Sequence, residues 1–305
     1  MTLLETIQLE FFSRNGYNFC NESFGVIDNL MPILNESKKI LGDIIKKNKT
    51  VDTFVNIEHP LYKEISNLFP KQIDIHFQYN QVYVAPKGSN KKCSITAVYQ
   101  GMNGESANIF LKACGKPFYV INRIPVILAH ELTHAYEDLN RIRGDVKLGL
   151  VDSLNAFYKL AIIIKNNAYL FSYLMRDFAD CCYWLNPSER RANLGRLEIE
   201  LEPYFSKIVD ERSATKYIEK LPVYKEFELI KMKLQNIAGR EKEIRNELFS
   251  VMDLNDNDIN KFSLSNINKT IKQLADFLED FEIKLFRNAA NLAYDAVMIR
   301  VEKFV

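Results

Sequence analysis

The sequence predicts an α+β fold in which helical regions flank a core built on a small, mostly antiparallel sheet. Polar and apolar residues alternate with a period of two at 73–79, and short strand-like runs follow at 93–100, 107–112 and 117–121. From residue 124 onward, apolar residues instead recur three or four positions apart, which is the spacing of helices. A change of period at one point in the chain indicates that the sheet and most of the helices occupy separate parts of the sequence.

Three regions follow from these patterns. Residues 1–70 are predicted to form a helical and irregular N-terminal region, residues 71–205 the α+β core, and residues 206–305 a helical C-terminal region. A chain of 305 residues is long enough for two domains or for one large domain with an appendage.

The end of the predicted sheet leads directly into a helix. Residues 107–112 and 117–121 are separated by Ala-Cys-Gly-Lys, a short glycine-containing loop that favours a hairpin. We then expect a helix with Pro125 in its first turn and Gly144 at its end.

The C-terminal region has the most regular helical pattern. Apolar residues follow alternating steps of three and four over 223–252 and again from Leu264 to Leu285. Two long helices joined by the polar loop 253–263 would form an antiparallel hairpin. We expect this hairpin to pack onto the rest of the chain, and a coiled coil that forms a dimer is the alternative. The same helices could also dock to a protein partner.

Composition excludes several classes of protein. Lys and Arg number 40 against 39 Asp and Glu, and this near balance argues against a nucleic-acid-binding protein. The most apolar stretch, 148–175, contains Asp152, Lys159 and Lys165, so it predicts buried helices rather than a membrane span. The N-terminus lacks the basic segment of a signal peptide, and the five cysteines form no Cys-x-x-Cys pair. These features predict a cytoplasmic protein.

The residues that carry chemistry are His-Glu-Leu-Thr-His at 130–134. Helical positions four apart share a face and lie about 6 Å apart along the axis, so His130 and His134 can bind one zinc ion at ~2.0–2.1 Å. Glu131 lies about 100° around the helix from His130, near enough to hold a water on the metal and take its proton. The chain has four histidines, and two of them at this spacing around a glutamate favour a zinc site over an ordinary core helix.

A catalytic zinc site needs a third protein ligand, and no histidine follows His134. Glu189 is the first choice, because Asn186 and Pro187 predict the start of a helix that places Glu189 at its third position. Glu189 could instead close the start of that helix in a capping box with Asn186. The other carboxylate candidates are Asp177, Asp180 and Glu198.

The sequence from His130 to Ala135 resembles the active-site helix of the zincin metallopeptidases, in their gluzincin branch. Asp138 stands where that family also has an aspartate, and on this chain it could orient one imidazole. The resemblance covers roughly residues 90–200. It implies a zincin-like core made of a small sheet, an active-site helix and a ligand helix. It also implies a single zinc ion held by His130, His134 and Glu189, with Glu131 as the general base.

The resemblance is distant from thermolysin itself. Thermolysin-like enzymes place the ligand glutamate much nearer in sequence and follow it four residues later with an aspartate, where this chain has Asn193. The segment Asn108–Leu111, followed by Phe118–Val120, resembles the zincin edge strand that pairs with an extended substrate. We therefore expect a protein or peptide substrate to add as a strand along 107–112.

The function that the resemblance implies is a zinc-dependent endopeptidase. Tyr183 is the candidate for stabilising the oxyanion, with His76 as an alternative and core packing as the structural role of Tyr183. A non-catalytic zincin-fold protein within a larger assembly, such as a virus particle, is the rival hypothesis, and the presence of Glu131 favours the enzyme. Hydrolysis of a non-peptide amide is a third hypothesis.

Overall fold

The computed structural model describes residues 37–47, 50–56, 72–85, 92–100, 106–139, 152–252 and 260–302. These residues form a small sheet and a larger number of helices, which confirms the predicted α+β class. Contacts divide the chain into two compact units. The first contains the described part of Met1–Asp145 together with Ala192–Glu202, and the second contains the described part of Val146–Arg191 and Pro203–Val305. The predicted three-region division of the chain stays a prediction.

The first unit is built on a four-stranded sheet. Its strands are β1 (Thr50–Asn56), β2 (Gln72–Asn80), β3 (Cys93–Gln100) and β4 (Ser106–Gly115), in the spatial order β1-β2-β4-β3. The pairs β1–β2 and β3–β4 are antiparallel, whereas β2–β4 is parallel. Strand β1 lies inside the N-terminal region for which the sequence predicted helices and irregular structure.

The predicted hairpin between 107–112 and 117–121 is wrong, because residues 117–121 are helical. Strand β4 ends at Gly115, whose φ of +128° is a conformation that residues with a side chain rarely adopt. Helix α2, Pro117–Leu139, starts two residues later, and the Lys116 carbonyl accepts hydrogen bonds from the N–H groups of Tyr119 and Val120. Proline suits this position because the first turn of a helix leaves its N–H groups without helical partners.

The predicted first-turn position of Pro125 is also wrong. Because α2 begins at Pro117, Pro125 lies inside the helix. The predicted end of the helix at Gly144 lies outside the described residues.

One face of the sheet forms the core of the first unit. Ile75, Phe77 and Tyr79 of β2 are fully buried, while the residues between them are half-buried, as a period of two requires. Helix α2 covers this face with residues spaced three or four apart, and the helical residues 37–47, here α1, add Leu41 and Ile45. The buried α2 residues in this core are Val120, Ile124, Leu128, Ala129, Leu132 and Ala135.

The second unit is helical. It contains α3 (Asp152–Asn166), α4 (Tyr173–Trp184), α6 (Glu211–Ile218), α7 (Pro222–Ile237), α8 (Glu241–Val251) and α9 (Leu264–Glu302). Helix α5 (Pro187–Leu201) begins in this unit and ends in the first. Short 3₁₀ segments occupy Ala168–Leu170 and Glu202–Lys207. None of the helices described is long and apolar enough to cross a membrane.

The aromatic centre of the second unit joins three helices. The Phe281 ring on α9 lies 5.0 Å from the Trp184 ring on α4 and 5.2 Å from the Phe227 ring on α7, between centroids. Phe227 and Phe281 are almost completely buried. Burial of aromatic side chains is a large source of stability, so this cluster holds the second unit together.

The predicted long helix over 223–252 is two helices. Helix α7 ends at Ile237, Ala238 is extended, and Gly239 has a φ of +77° before α8 begins at Glu241. Apolar residues spaced three or four positions apart are buried in both helices, so the spacing continues across the break and does not reveal it. Glu241, the polar residue that interrupts the pattern, lies in the first turn of α8, where a negative charge is favourable. The second predicted helix is present as the 39-residue α9.

Candidate metal centre

The two histidines of the motif converge on helix α2. The Nε2 atoms of His130 and His134 are 3.2 Å apart, and the ring planes are nearly perpendicular at 86°. His134 is buried and His130 is half-buried. Two ligands of a tetrahedral zinc ion at ~2.0–2.1 Å lie about 3.3 Å apart, so the observed separation suits a pair of nitrogens that share one ion. The same separation also suits an N–H···N hydrogen bond between the rings.

Glu131 is a buried carboxylate with a fixed orientation. Only 8% of its surface is exposed, and its Oε2 accepts a hydrogen bond of 2.9 Å from the backbone N–H of Tyr99. Tyr99 belongs to β3, which pairs with β4 on one side. The Glu131 carboxylate is therefore hydrogen-bonded to the edge strand β3 of the described sheet.

Glu189 lies in the first turn of α5 and is 3% exposed. Asn186 caps this helix, because its Oδ1 accepts the N–H of Ser188 at 3.0 Å. The Asn186 N–H donates to the Tyr183 carbonyl, whereas a capping box would direct that donor to Glu189. The Glu189 Oε1 accepts a hydrogen bond of 3.1 Å from the Tyr158 hydroxyl. These contacts argue against the capping-box role, and the ligand role of Glu189 stays a prediction.

The carboxylate of Glu189 and the rings of His130 and His134 form a group that could hold a metal ion. Each residue offers one ligand atom, and the three atoms all lie within 4.8 Å of one another. Two imidazoles and one carboxylate are a ligand set that zinc accepts in catalytic sites.

The other carboxylate candidates have different surroundings. Asp177 and Asp180 of α4 both pair with Lys233 of α7. The side chains of Glu198 and Asp138 lie outside the described residues, although both positions are helical.

Two further predicted site residues, Tyr183 and His76, have contacts of their own. The half-buried Tyr183 stacks on Tyr158 with 5.6 Å between ring centroids, and the Lys165 Nζ lies 3.8 Å from the Tyr183 centroid. His76 lies on β2, where its Nε2 is 2.9 Å from the Asn108 Oδ1 and its ring stacks on Phe110. The oxyanion role of Tyr183 stays a prediction.

The predicted substrate-pairing strand is wrong. Residues 107–112 belong to β4, and β4 lies between β2 and β3, so its backbone hydrogen bonds are used on both sides. Within the described sheet the edges are β1 and β3. An incoming strand can pair only at an edge.

Sequence reasoning missed Tyr158 and Tyr99. Tyr158 lies in the apolar helical stretch of α3, where its spacing resembles that of a core residue. Tyr99 contributes a backbone N–H, which every residue except proline carries. Neither residue gives a signal in the sequence that distinguishes it from its neighbours.

Comparison with known proteins gives no relative. No protein-family model matches the chain, and neither the curated proteins nor the solved structures include a match.

Proposed function

We propose that the protein is a zinc-dependent metallopeptidase with a zincin-like core that binds one zinc ion. The observation that carries the proposal is the 3.2 Å approach of the His130 and His134 Nε2 atoms on one helix, with the Glu189 carboxylate in the same group. A ligand set of two histidines and one glutamate leaves a fourth position for water or substrate, which a structural site would fill with protein.

Glu131 is the proposed general base. When bound, zinc supplies a Lewis acid and lowers the pKa of a coordinated water toward ~7. Glu131 takes the proton of the attacking water and donates it to the leaving amine. Its hydrogen bond to the Tyr99 N–H supports this role, because a fixed carboxylate requires less reorganisation during the reaction.

An extended peptide is the proposed substrate, and β3 is the proposed strand on which it adds. The Tyr99 N–H points toward Glu131 and so away from β4. The backbone N–H and C=O groups of successive residues in a strand point to opposite sides. The groups of Ala97 and Ile95 therefore point away from β4, as those of Tyr99 do. A peptide paired along this edge would run beside the general base.

The experiment compares zinc content and peptide hydrolysis in four versions of the full chain: wild type, Glu131→Gln, His130→Ala and His76→Ala. An unfolded protein such as casein is the substrate. We expect Glu131→Gln to keep about one zinc per chain and to lose about 10²–10⁴-fold in hydrolysis. His130→Ala should lose both zinc and hydrolysis. His76→Ala is the matched control for zinc content, since His76 lies outside the metal group.

Two results would overturn the enzyme assignment. If zinc binds but wild type and Glu131→Gln cleave equally, the water-activating role is wrong, and a non-catalytic protein of a larger assembly becomes the better account. If the His130→Ala and His76→Ala variants bind zinc equally, the proposed site is wrong.

A further inference from the structure

We propose that Tyr158 is a positioning residue for Glu189, holding its carboxylate in the orientation that metal binding requires. This inference rests on the proposed function, because it assigns Tyr158 a role only if Glu189 is a ligand. The contact that suggests it is the hydrogen bond of 3.1 Å from the Tyr158 hydroxyl to the Glu189 Oε1.

The burial of Glu189 makes this hydrogen bond consequential. The residue is 3% exposed, and a carboxylate removed from water is costly unless hydrogen bonds replace its hydration. A donor on one carboxylate oxygen also limits rotation of the group. Groups that hydrogen-bond to metal ligands in this way orient them, and their loss typically weakens metal binding about 10–100-fold.

The ring of Tyr158 is held in turn by its neighbours in the second unit. It stacks on Tyr183 at an interplanar angle of 19°, with the Lys165 Nζ 3.8 Å from the Tyr183 centroid. That Nζ also lies 3.8 Å from the Asp180 Oδ1. Each contact restricts the next, so the Tyr158 hydroxyl is presented from a ring with little freedom to turn.

The backbone of Glu189 is fixed separately, through Arg190. The Arg190 guanidinium lies 4.0 Å from the Phe277 ring centroid and 3.4 Å from the Asp280 Oδ2, both on α9. These contacts hold the first turn of α5 to α9. They act on the backbone of α5, whereas the hydrogen bond from Tyr158 acts on the Glu189 carboxylate itself.

The test is the zinc affinity of Tyr158→Phe, measured in the full chain by competition with a chelator of known affinity. This substitution removes the hydroxyl and keeps the stacked ring. We expect zinc affinity to fall about 10–100-fold, and the visible absorption of Co²⁺ bound in place of zinc to change as the carboxylate reorients. Tyr173→Phe is the matched control, since Tyr173 is 78% exposed, and its affinity and spectrum should equal those of wild type.

A second variant, Tyr183→Leu, keeps the Tyr158 hydroxyl but removes the Tyr183 ring on which Tyr158 stacks. Tyr183→Leu should also lower zinc affinity, but by less than Tyr158→Phe does. Thermal melting in the presence of chelator measures folding of each variant without metal.

The outcomes separate the two proposals. If wild type binds zinc through His130 and Glu189 but Tyr158→Phe binds it as tightly with an unchanged Co²⁺ spectrum, the positioning role is wrong and the proposed function stands. If Glu189→Gln binds zinc as tightly as wild type does, the proposed ligand set is wrong, and with it the proposed function on which this inference rests.

Discussion

The backbone N–H of Tyr99 and the Oε2 of Glu131 are 2.9 Å apart, and this hydrogen bond links the edge strand β3 to the helix that carries both histidines. Its donor belongs to the backbone, so among substitutions at position 99 only proline removes it, and proline would also restrict the backbone of the strand. The length of the acidic side chain at position 131 is therefore the variable that experiment can change.

The first prediction concerns Glu131→Asp. Removing one methylene withdraws the carboxylate by about 1.5 Å, the length of one C–C bond, so it can no longer keep both its contact with Tyr99 and its place beside the metal. We expect hydrolysis to fall about 10²-fold, since a displacement of about 1 Å can have that effect. Steady-state cleavage assays measure the change. Zinc content is the control and should be unaltered, and full activity of the aspartate variant would contradict the role of this hydrogen bond.

The second prediction concerns Lys233, which pairs with both Asp177 and Asp180. Its side chain is 20% exposed, so Lys233→Met removes the cation shared by two partly buried carboxylates. The free energy of unfolding should fall by about 1.5–3 kcal/mol, the range for hydrogen bonds to charged groups. Urea unfolding measures this value. Arg240→Gln, which removes an exposed pair with Glu243, is the control and should change little.

The Lys233 pair also has a defined pH dependence. Burial by itself lowers the pKa of Lys233, but hydrogen bonds and charge from Asp180 and Asp177 outweigh it and hold the pKa above its ordinary 10.5. The folded state therefore binds this proton more tightly than the unfolded state does. From about pH 7 to about pH 10 the stability difference between wild type and Lys233→Met should be constant, and it should shrink as the pH rises through the folded-state pKa of Lys233. A difference that grows with alkalinity would contradict the ion-pair explanation.

The third prediction compares two glycines with positive φ. An alanine at Gly115 would place its Cβ 2.7 Å from the Cys93 Cβ and 2.9 Å from the Lys92 carbonyl oxygen. Gly239 has nothing within 4 Å of the equivalent position, so Gly239→Ala meets only the left-handed backbone penalty of about 1–2 kcal/mol. Gly115→Ala should lower the free energy of unfolding by more than Gly239→Ala. Equal effects of the two substitutions in thermal melts would contradict this prediction. They would show that the contact between the new Cβ at position 115 and Cys93 does not destabilise the fold.

The sequence predicted the parts of this protein that depend on local patterns. The strands at 93–100 and 107–112 follow from local composition, and the 130–134 helix follows from a motif whose chemistry lies within one helical turn. The Asn186 cap was predicted for the same reason.

The errors arose where one local pattern is compatible with two structures. Residues 117–121 are apolar and aromatic, as in a strand, and only the backbone turn at Gly115 before Pro117 decides for a helix. The break at Gly239 is hidden by apolar spacing that continues on both sides. The strand order depends on pairing between distant segments, and the Tyr158–Glu189 contact joins residues 31 positions apart.

The most direct test of the proposed function is a crystal structure of the full chain grown with zinc, in which anomalous scattering locates the metal. The account predicts one zinc ion about 2.0–2.2 Å from the Nε2 atoms of His130 and His134 and from a carboxylate oxygen of Glu189. Histidine rings that face each other with no metal between them at saturating zinc, or an ion held elsewhere, would contradict it.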